Sequence, residues 1–400
     1  MVELILFGSL AVMIFINIPI AIGLGLASIA TLIYVGSPLG VVPSMMQATV
    51  QKFALLTIPL FILAGAIMDK GGISRRLINL ANSMIGSGTA TVAAMGSILI
   101  PAMAKQGYDR GFASALSAIS GSMGTIIPPS ITFIIYGMIT GESIGDLFLA
   151  GIVPGIVFGL ILCILVFVVS KKNDWKSEDA KASLNEIGKA FFDALWGLLS
   201  PVIVLGGIYT GLLTPTEAAA VAVIYSFIVG AFIYKELTLK TFWEALFSTG
   251  KTTGIILLII MNAGIFSWVL TQQGIAPRLT EMALELTTNP YIMLLIINFV
   301  FLCAGCVMDN TSALFILVPI ILPIAQALDI NLIHLGVVLV LNLSIGQVTP
   351  PVGPNLYVAA DIGKVTFENI CRRILPMLGV SLIALLLVTF IPWLSTCLIK

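Results

Sequence analysis

Long apolar stretches, separated by short polar segments, run through the whole chain. A helix that crosses the hydrocarbon core of a bilayer needs about 20 apolar residues, and many of the stretches reach that length. The chain is 59% hydrophobic and only 10% charged, which is more apolar surface than a soluble domain of 400 residues could bury. The sequence therefore predicts an all-α, polytopic integral membrane protein with roughly ten or eleven crossings.

The charged and metal-binding side chains exclude several classes of function. The chain carries 19 Lys and Arg against 19 Asp and Glu, so it has no basic face with which to bind nucleic acid. His334 is the only histidine, which excludes a three-histidine zinc site. Cys303 and Cys306 have the spacing of a redox or metal motif, but no further Cys or His is near them in the sequence. A packing role is therefore favoured for both.

The first 35 residues form one apolar stretch, which lacks the basic segment that begins a secretory signal. We expect this segment to stay in the mature chain and to make up an N-terminal unit at residues 1–48. Asn17 and Pro19 interrupt it midway, so one kinked helix and two short helices both fit the pattern. The side of the membrane on which Met1 lies stays open.

The basic residues divide the polar segments into two groups. Sixteen of the 19 basic residues lie in the first group, residues 69–76, 105–110, 171–189, 235–251 and 361–373, whereas the second group, residues 140–146, 214–217, 271–289 and 325–334, holds only Arg278. By the positive-inside rule, the first group lies in the cytoplasm. Residues 76–105 and 290–324 must then each enter and leave on the same side. This predicts two re-entrant helical hairpins whose turns are buried in protein.

An internal repeat relates the two halves of the chain. The segment that begins at Ser122 matches the one that begins at Ser344, 222 positions later, and both contain a Pro-Pro pair. Under the charge assignment the two halves cross the membrane in opposite directions, which is the arrangement of many secondary transporters. The predicted units are a first inverted repeat at residues 49–170, a cytoplasmic loop at 171–190, central scaffold helices at 191–249 and a second inverted repeat at 250–400.

Each repeat contains an apolar segment with a Pro-Pro pair near its middle, at residues 111–139 and 335–360. A proline inside a helix removes a backbone hydrogen bond and costs about 3 kcal/mol, so we expect both helices to be broken at the pair. Carbonyls freed there can bind a small cation; a kink that only shapes packing is the alternative. The candidate ligands are the carbonyls around Gly124, Ile127 and Pro129 and around Gly346, Thr349 and Pro351.

The turns of the two predicted hairpins carry oxygen-bearing side chains, which suit hard cations. Asp309 is the only carboxylate of its hairpin, and a charge at bilayer depth costs about 2.5 to 3.5 kcal/mol. We therefore expect Asp309 to have a cationic partner; a polar cap on an interfacial turn is the alternative. The candidate cation ligands are Ser87 and Thr89 at the first tip and Asp309 and Thr311 at the second.

The substrate is inferred from the balance of charge. One carboxylate against two monovalent cations leaves one positive charge, which an anionic substrate would balance. Thr125, Ser130 and Asn355 lie beside the two breaks, and they are the candidate substrate contacts.

Five motifs are spread along nearly the whole chain: PLFILAG from Pro59, GSILIPAM from Gly96, GTIIPPSI from Gly124, FLAGIVPG from Phe148 and VTPPVG from Val348. They resemble the large membrane subunit of tripartite ATP-independent periplasmic (TRAP) transporters, the DctM family. The resemblance implies sodium-driven uptake of an organic acid, such as a C4-dicarboxylate or sialic acid, at the bacterial inner membrane, with two bound sodium ions.

The resemblance also implies partners and a motion. The partners are a soluble periplasmic substrate-binding protein and a small four-helix TRAP membrane subunit. Membrane lipid surrounds the chain. The motion is an elevator movement, in which the hairpins and broken helices move against a scaffold made by helices 191–213 and 217–234.

The first hairpin departs from the family pattern. Nine residues separate Leu77 from Ser87, whereas twenty-nine separate Leu279 from Asp309, so most of the first arm is missing. Nine helical residues rise about 14 Å, which is about half the hydrocarbon thickness. The shortened arm puts the first ion site in doubt, and one bound sodium is expected if that site does not form.

Other functions fit the sequence less well. A stand-alone ion-coupled anion carrier of related fold, without a binding protein, is the alternative within transport. An intramembrane hydrolase would need a catalytic pair, but His334 is near a loop and Asp309 has no second intramembrane aspartate. A channel is disfavoured, because breaks at inverted positions suit an occluded site better than a continuous pore.

Overall fold

The computed structural model describes residues 1–16, 18–77, 100–101, 103–104, 107–173, 175 and 184–399. These residues form helices joined by short connections and contain no strand. Ser87 and Thr89, together with most of the first predicted hairpin, lie outside the described residues. The helices are α1 (Val2–Phe15), α2 (Ile20–Val35), α3 (Val41–Val50), α4 (Thr57–Lys70), α5 (Arg110–Met123), α6 (Ile131–Thr140), α7 (Ile144–Lys172), α8 (Leu184–Tyr209), α9 (Pro215–Ile228), α10 (Leu239–Gln272), α11 (Ile275–Leu286), α12 (Pro290–Val307), α13 (Asn310–Ala327), α14 (Leu332–Gly346), α15 (Pro354–Gly363), α16 (Phe367–Phe390) and α17 (Trp393–Thr396).

Eight helices in the described part of the chain are long and apolar enough to cross a membrane. Several other apolar segments of the described residues are divided into shorter helices, and residues 78–99 lie outside the described part of the chain. The eight helices are therefore not a count to set against the ten or eleven crossings predicted for the whole chain. The N-terminal stretch forms two helices, α1 and α2, and Pro19 precedes the first residue of α2. The two Pro-Pro segments are likewise divided, into α5 and α6 and into α14 and α15.

The same order of elements occurs in both halves at the predicted spacing. Asp109 caps α5 and Asn331 caps α14, 222 positions later, and each side chain accepts a hydrogen bond of 2.9 Å from the backbone N–H three residues on. Such caps satisfy N–H groups that have no partner inside the helix. Pro154 inside α7 likewise corresponds to Pro376 inside α16. The sequence repeat is therefore also a structural repeat.

The two broken helices lie side by side and run in opposite directions. Near the end of α5, Ser122 accepts a 2.9 Å hydrogen bond from Asn355 at the start of α15. Near the start of α5, a Cβ added to Gly363 at the end of α15 would lie only 2.0 Å from Ser114 Oγ. At the other end of the pair, the Tyr136 hydroxyl in α6 donates to the carbonyl of the first residue of α14 at 2.6 Å. The repeats are therefore inverted with respect to each other.

Helices α4, α8 and α9 form a second group of packed helices beside the broken helices, which we call the second body. The side chains of Ala64, Val204, Ala218 and Ala222 form a small apolar cluster that joins α4, α8 and α9. Helix α10 contacts α2, α3 and α4 on one side and α13 on the other. It thus lies between this body and the arms of the second repeat.

An ion-pair cluster holds the chain after α4 against the segment just before α10. Arg76 Nη1 donates to Glu236 Oε1 at 2.8 Å, and Arg75 pairs with the other carboxylate oxygen. Burial tends to raise the pKa of Glu236, but the hydrogen bonds and positive charges of the two arginines outweigh it, so the pKa lies below its usual value. The Arg76 guanidinium also lies 3.8 Å from the centre of the Tyr234 ring.

A buried polar network fixes the first arm of the second hairpin. Asn342 Nδ2 in α14 donates to both the backbone and the side-chain oxygen of Asn298 in α12, each at 2.8 Å. Asn298 Nδ2 in turn donates to Thr389 Oγ1 in α16 at 2.9 Å. All three side chains are buried. The network ties α12 to the broken helix and to α16.

Replacing Asn298 with alanine is expected to lower the free energy of unfolding by about 1 to 3 kcal/mol, because the substitution removes two buried side-chain hydrogen bonds, one with Asn342 and one with Thr389, each worth about 0.5 to 1.5 kcal/mol. Thermal unfolding of the purified protein in detergent measures the effect. The exposed Asn369, replaced with alanine, is the control, and a variant at Asn298 that unfolds at the same temperature as this control would contradict the prediction.

Candidate functional site

The two breaks meet in the middle of the antiparallel pair. The hydroxyls of Thr125, in the first break, and Ser344, in the last turn of α14, form a hydrogen bond with each other. The hydrogen bond from Asn355 to Ser122 makes a second link between the same regions. Polar side chains of both repeats are thus brought together at the level where both helices are interrupted.

The first break is closed by its own hydroxyl groups. Thr125 Oγ1 donates to the Ser122 carbonyl at 2.8 Å. Ser130 donates to the Thr125 carbonyl and also accepts from the Phe133 N–H at 3.4 Å, as the N-cap of α6. The Ser130 side chain is buried, so its hydrogen bonds hold the shape of the loop. All three predicted cation ligands of this loop are exposed, namely Gly124, Ile127 and Pro129.

The second break is held at both of its ends. At the start, the Gly346 carbonyl accepts a 2.9 Å hydrogen bond from the Thr349 N–H, and Thr349 Oγ1 donates to the Ile345 carbonyl at 2.8 Å. At the end, Gly353 has φ of +53° and its N–H donates to the Cys306 carbonyl at 3.2 Å. The Gly346 carbonyl therefore already accepts one backbone bond, and its second lone pair is the one available to a cation.

The Pro-Pro peptide bonds of both breaks are cis. Pro351 is exposed, as Pro129 is in the first break.

The tip of the second hairpin lies between α12 and α13. Asp309 is the N-cap of α13: it accepts from the Ser312 N–H at 3.1 Å and from the Ser312 hydroxyl at 2.6 Å. Among the described residues, no lysine or arginine nitrogen lies within 4 Å of its carboxylate. Thr311, which directly follows Asn310 in the first turn of α13, is partly exposed.

A chain of side-chain amides joins the tip to both breaks. Gln347 Nε2 donates to Asn310 Oδ1 at 2.8 Å, and Gln347 Oε1 accepts from Asn355 Nδ2 at 3.0 Å. The same Asn355 nitrogen donates to Ser122 in the first repeat. We call these four residues, Ser122, Asn355, Gln347 and Asn310, the amide relay. It links the hairpin tip, the second break and the first break in one connected set.

Two glycines allow the hairpin tip to approach the second break. A Cβ added to Gly346 would lie 2.7 Å from Gly305 Cα and 2.8 Å from the Gly305 carbonyl carbon. These are backbone atoms, so no side-chain rotation could relieve the clash. The close approach of α12 to the end of α14 therefore requires glycine at this position.

The site predicted from sequence is only partly the site that the structure assembles. Thr125, Asn355, Gly346, Thr349 and Asp309 lie around the meeting point of the breaks and the tip, as described above. Sequence reasoning missed Ser344 and Gln347, and it places Asn310 in the second hairpin tip without a role as a ligand. The repeat could have indicated the first two, because Ser344 corresponds to Ser122 and Gln347 corresponds to Thr125 at the shift of 222 positions.

The oxygen atoms of this region are the kind of ligand that suits a hard cation. Within the described ranges, no group of three or more His, Cys, Asp or Glu side chains is close enough to hold a metal ion. The oxygen atoms around the tip and the breaks belong to hydroxyls, amides, carbonyls and one carboxylate. Such ligands suit hard cations.

Comparison with known proteins gives one family. Residues 7–89 and 83–394 match the sequence profile described as "Tripartite ATP-independent periplasmic transporter, DctM component". The two matched stretches overlap at residues 83–89, within the segment where the first hairpin is shortened relative to the second.

Three relatives match over nearly the whole of this chain. An isethionate TRAP transporter permease protein, DctMQ, from Oleidesulfovibrio alaskensis is 40% identical over 411 residues, which cover 97% of this chain and 65% of that protein. A C4-dicarboxylate TRAP transporter large permease protein, DctM, from Vibrio cholerae is 37% identical, with 96% and 94% covered. The sialic acid TRAP transporter large permease protein, SiaM, from Vibrio cholerae is 34% identical, with 97% and 96% covered.

The fold is similar to that of a solved transporter. The crystal structure of the YdaH transporter from Alcanivorax borkumensis superposes with a TM-score of 0.57 over 90% of each chain, at 13% sequence identity. At this identity the similarity concerns the fold alone.

Proposed function

The chain belongs to the DctM family of TRAP transporters, as the large permease subunit, and on that premise we propose that it imports an organic acid anion by sodium symport across the bacterial inner membrane. The relatives are transporter permeases and not enzymes. The proposal concerns the ion, the substrate class and the partners.

One observation carries the proposal. Two broken helices run antiparallel, their breaks are hydrogen-bonded to each other, and a hairpin tip with a single carboxylate is joined to them by the amide relay. Inverted halves around one shared site allow that site to face either side of the membrane at similar energy. This symmetry supports a carrier, in which the hairpins and broken helices move as an elevator against α8 and α9.

Sodium is the proposed coupling ion, with two ions per transport cycle. Carboxylate, hydroxyl and carbonyl oxygens around the tip and breaks are suitable ligands for it. The proposed second site consists of Asp309, Thr311, Gly346, Thr349 and Pro351. The proposed first site consists of Ser87, Thr89, Gly124, Ile127 and Pro129, of which Ser87 and Thr89 lie outside the described residues.

An organic acid anion is the proposed substrate. The names of the relatives mention isethionate, C4-dicarboxylate and sialic acid, and each of these is an organic anion. Two sodium ions and the Asp309 carboxylate leave one positive charge, which the anion would balance. The proposed contacts are Thr125, Ser130 and Asn355. Of these, Thr125 and Asn355 carry the bonds between the two repeats.

We propose two protein partners, a periplasmic substrate-binding protein and a small membrane subunit. This chain spans 65% of the isethionate permease DctMQ, and we infer that the remainder of that protein corresponds to the small subunit. The apolar side chains of α8 and α9 form the proposed surface for it, since Phe192 and Ile224 are largely exposed there. A stand-alone carrier would work without either partner.

Sodium-binding stoichiometry on the purified chain in detergent tests the ion part of the proposal, because it needs neither the substrate nor the partners. Two ions are expected if the shortened first hairpin forms its site, and one ion is expected if it does not. A folded sample that binds no sodium would contradict sodium coupling. Uptake driven by a sodium gradient, compared for succinate and its neutral diamide, tests the anion; equal uptake of both would contradict the substrate class.

A further inference from the structure

A cavity of about 300 Å³ lies between α10 and the arms of the two repeats. One wall comes from α10 and from the chain around the end of α3, and the other comes from α6 and α13. The residues that define it are Thr49, Lys52, Met138, Trp268, Phe315 and Pro319. No part of the site described above lines this cavity.

Lys52 is unusual for its place in the molecule. Its ammonium nitrogen lies 3.4 Å from the Met138 carbonyl, near the end of α6, and α6 leads into residues 140–146, which the charge pattern assigns to the outer side. Basic residues are scarce on that side. Arg278, which is the only basic residue of the segments predicted on that side, is paired with Glu3 at 2.8 Å.

No carboxylate in the described part of the chain neutralises Lys52. Among the described residues, no Asp or Glu oxygen lies within 4 Å of the Lys52 nitrogen. A helix C-terminus favours a nearby cation, and the Met138 carbonyl uses one of the three ammonium hydrogens. Two donors and the full positive charge are left for a ligand in the cavity.

The cavity lies outward of the breaks by a short distance. Met138 follows Ser130, the cap at the first break, by eight residues, or about 12 Å of helix. Phe315 follows Asp309, at the hairpin tip, by six residues, or about 9 Å. A ligand bound at Lys52 would therefore lie about 9 to 12 Å along the helices from the candidate ion and substrate site.

We propose that this cavity is an outer anion site, in which the Lys52 ammonium binds the oxyanion group of a small organic acid before the acid reaches the breaks. Lys52 is exposed at the edge of the cavity, and since the effective dielectric constant near a protein surface is about 20 rather than 80, its attraction for an anion is stronger there than in bulk water. Thr49 and Trp268 offer polar groups beside it. The identity of the anion as an organic acid rests on the proposed function, whereas the binding of an oxyanion at Lys52 does not.

Trp268 provides a reporter for the test, because it lines the same cavity. Tryptophan emission of the purified chain in detergent is recorded during titration with succinate, isethionate and sialic acid up to about 10 mM, with sodium chloride at equal ionic strength as the reference. We expect at least one acid to change the emission saturably. The change should be lost in Trp268→Phe, and the apparent Kd should rise at least tenfold in Lys52→Gln and by less than that in Lys52→Arg.

Lys240→Gln is the matched control, since Lys240 is exposed at the start of α10, among the residues that the charge pattern places in the cytoplasm. It should keep the wild-type Kd. An unchanged Kd in Lys52→Gln, a response that persists in Trp268→Phe, or no response to any of the three acids would each overturn the proposal. Uptake by the same variants, reconstituted together with the small subunit and the binding protein, tests the two proposals separately. Binding at Lys52 without sodium-driven uptake in that system would contradict the proposed function and keep the anion site.

Discussion

Replacing Asp309 with asparagine is expected to lower the sodium affinity of the second site at least tenfold and to abolish sodium-driven uptake. Asparagine is as good an N-cap as aspartate, so it can still accept the hydrogen bond from the Ser312 N–H that starts α13. The substitution therefore removes the charge and keeps the helix. A tenfold loss of affinity corresponds to about 1.4 kcal/mol, which is modest for the loss of a carboxylate ligand to a cation. Isothermal titration with sodium measures it.

Two further variants make this result specific. Asp361→Asn removes an exposed carboxylate, paired with Lys364 at 3.2 Å, and should leave sodium binding unchanged. Asp309→Ala should lose the sodium site and also about 1 kcal/mol of stability, because alanine cannot cap the helix. If Asp309→Asn bound sodium as the wild type does, Asp309 would be a helix cap only, and the assignment of the second site would be wrong.

The second large effect is expected from Gly346→Ala. The added methyl group would lie 2.7 Å from Gly305 Cα, so the hairpin tip would have to move away from the second break. Overpacking of this kind costs about 1 to 3 kcal/mol. Because the next residue, Gln347, joins Asn310 to Asn355 in the amide relay, we also expect uptake to fall at least tenfold. Thermal unfolding and sodium-driven uptake measure the two effects separately.

Gly379→Ala is the matched control for this substitution. Gly379 lies inside α16, and a Cβ added there would meet nothing within 4 Å. Alanine is the better helix former by about 0.5 to 1 kcal/mol, so the control should be as stable as the wild type or more stable. A Gly346→Ala variant that matched it in both stability and uptake would contradict a tight contact between tip and break.

Much of the fold was open to prediction because it depends on local chemistry. Asp109 and Asn331 are good N-caps, and the structure begins a helix after each of them. The two Pro-Pro pairs interrupt helices for reasons that belong to proline itself. The spacing of 222 positions then related the two halves without any knowledge of their packing. The prediction of an all-helical membrane protein is confirmed.

The site was less open to prediction because it depends on contacts between distant segments. Gln347 is one of several polar residues around the second break, and nothing in its neighbourhood along the chain indicates that it bonds to Asn310 and Asn355. Lys52 was missed for a similar reason, since it belongs to none of the charged segments that defined the topology. The ligand assignments for sodium and substrate stay predictions, and those at Ser87 and Thr89 fall outside the described residues.

The amide relay has a thermodynamic consequence for the coupling between anion binding and ion binding. One nitrogen of Asn355 serves both Ser122 and Gln347, so a ligand that takes up this amide changes the hydrogen bonding of Asn310, one residue from Asp309. Thermodynamic linkage is reciprocal: if the bound anion changes the affinity for the ion by some factor, the bound ion changes the affinity for the anion by the same factor. Under the sodium symport proposed above, a coupling that favours joint binding would disfavour a carrier loaded with only one of the two ligands. Loss of that coupling would let sodium cross the membrane without substrate.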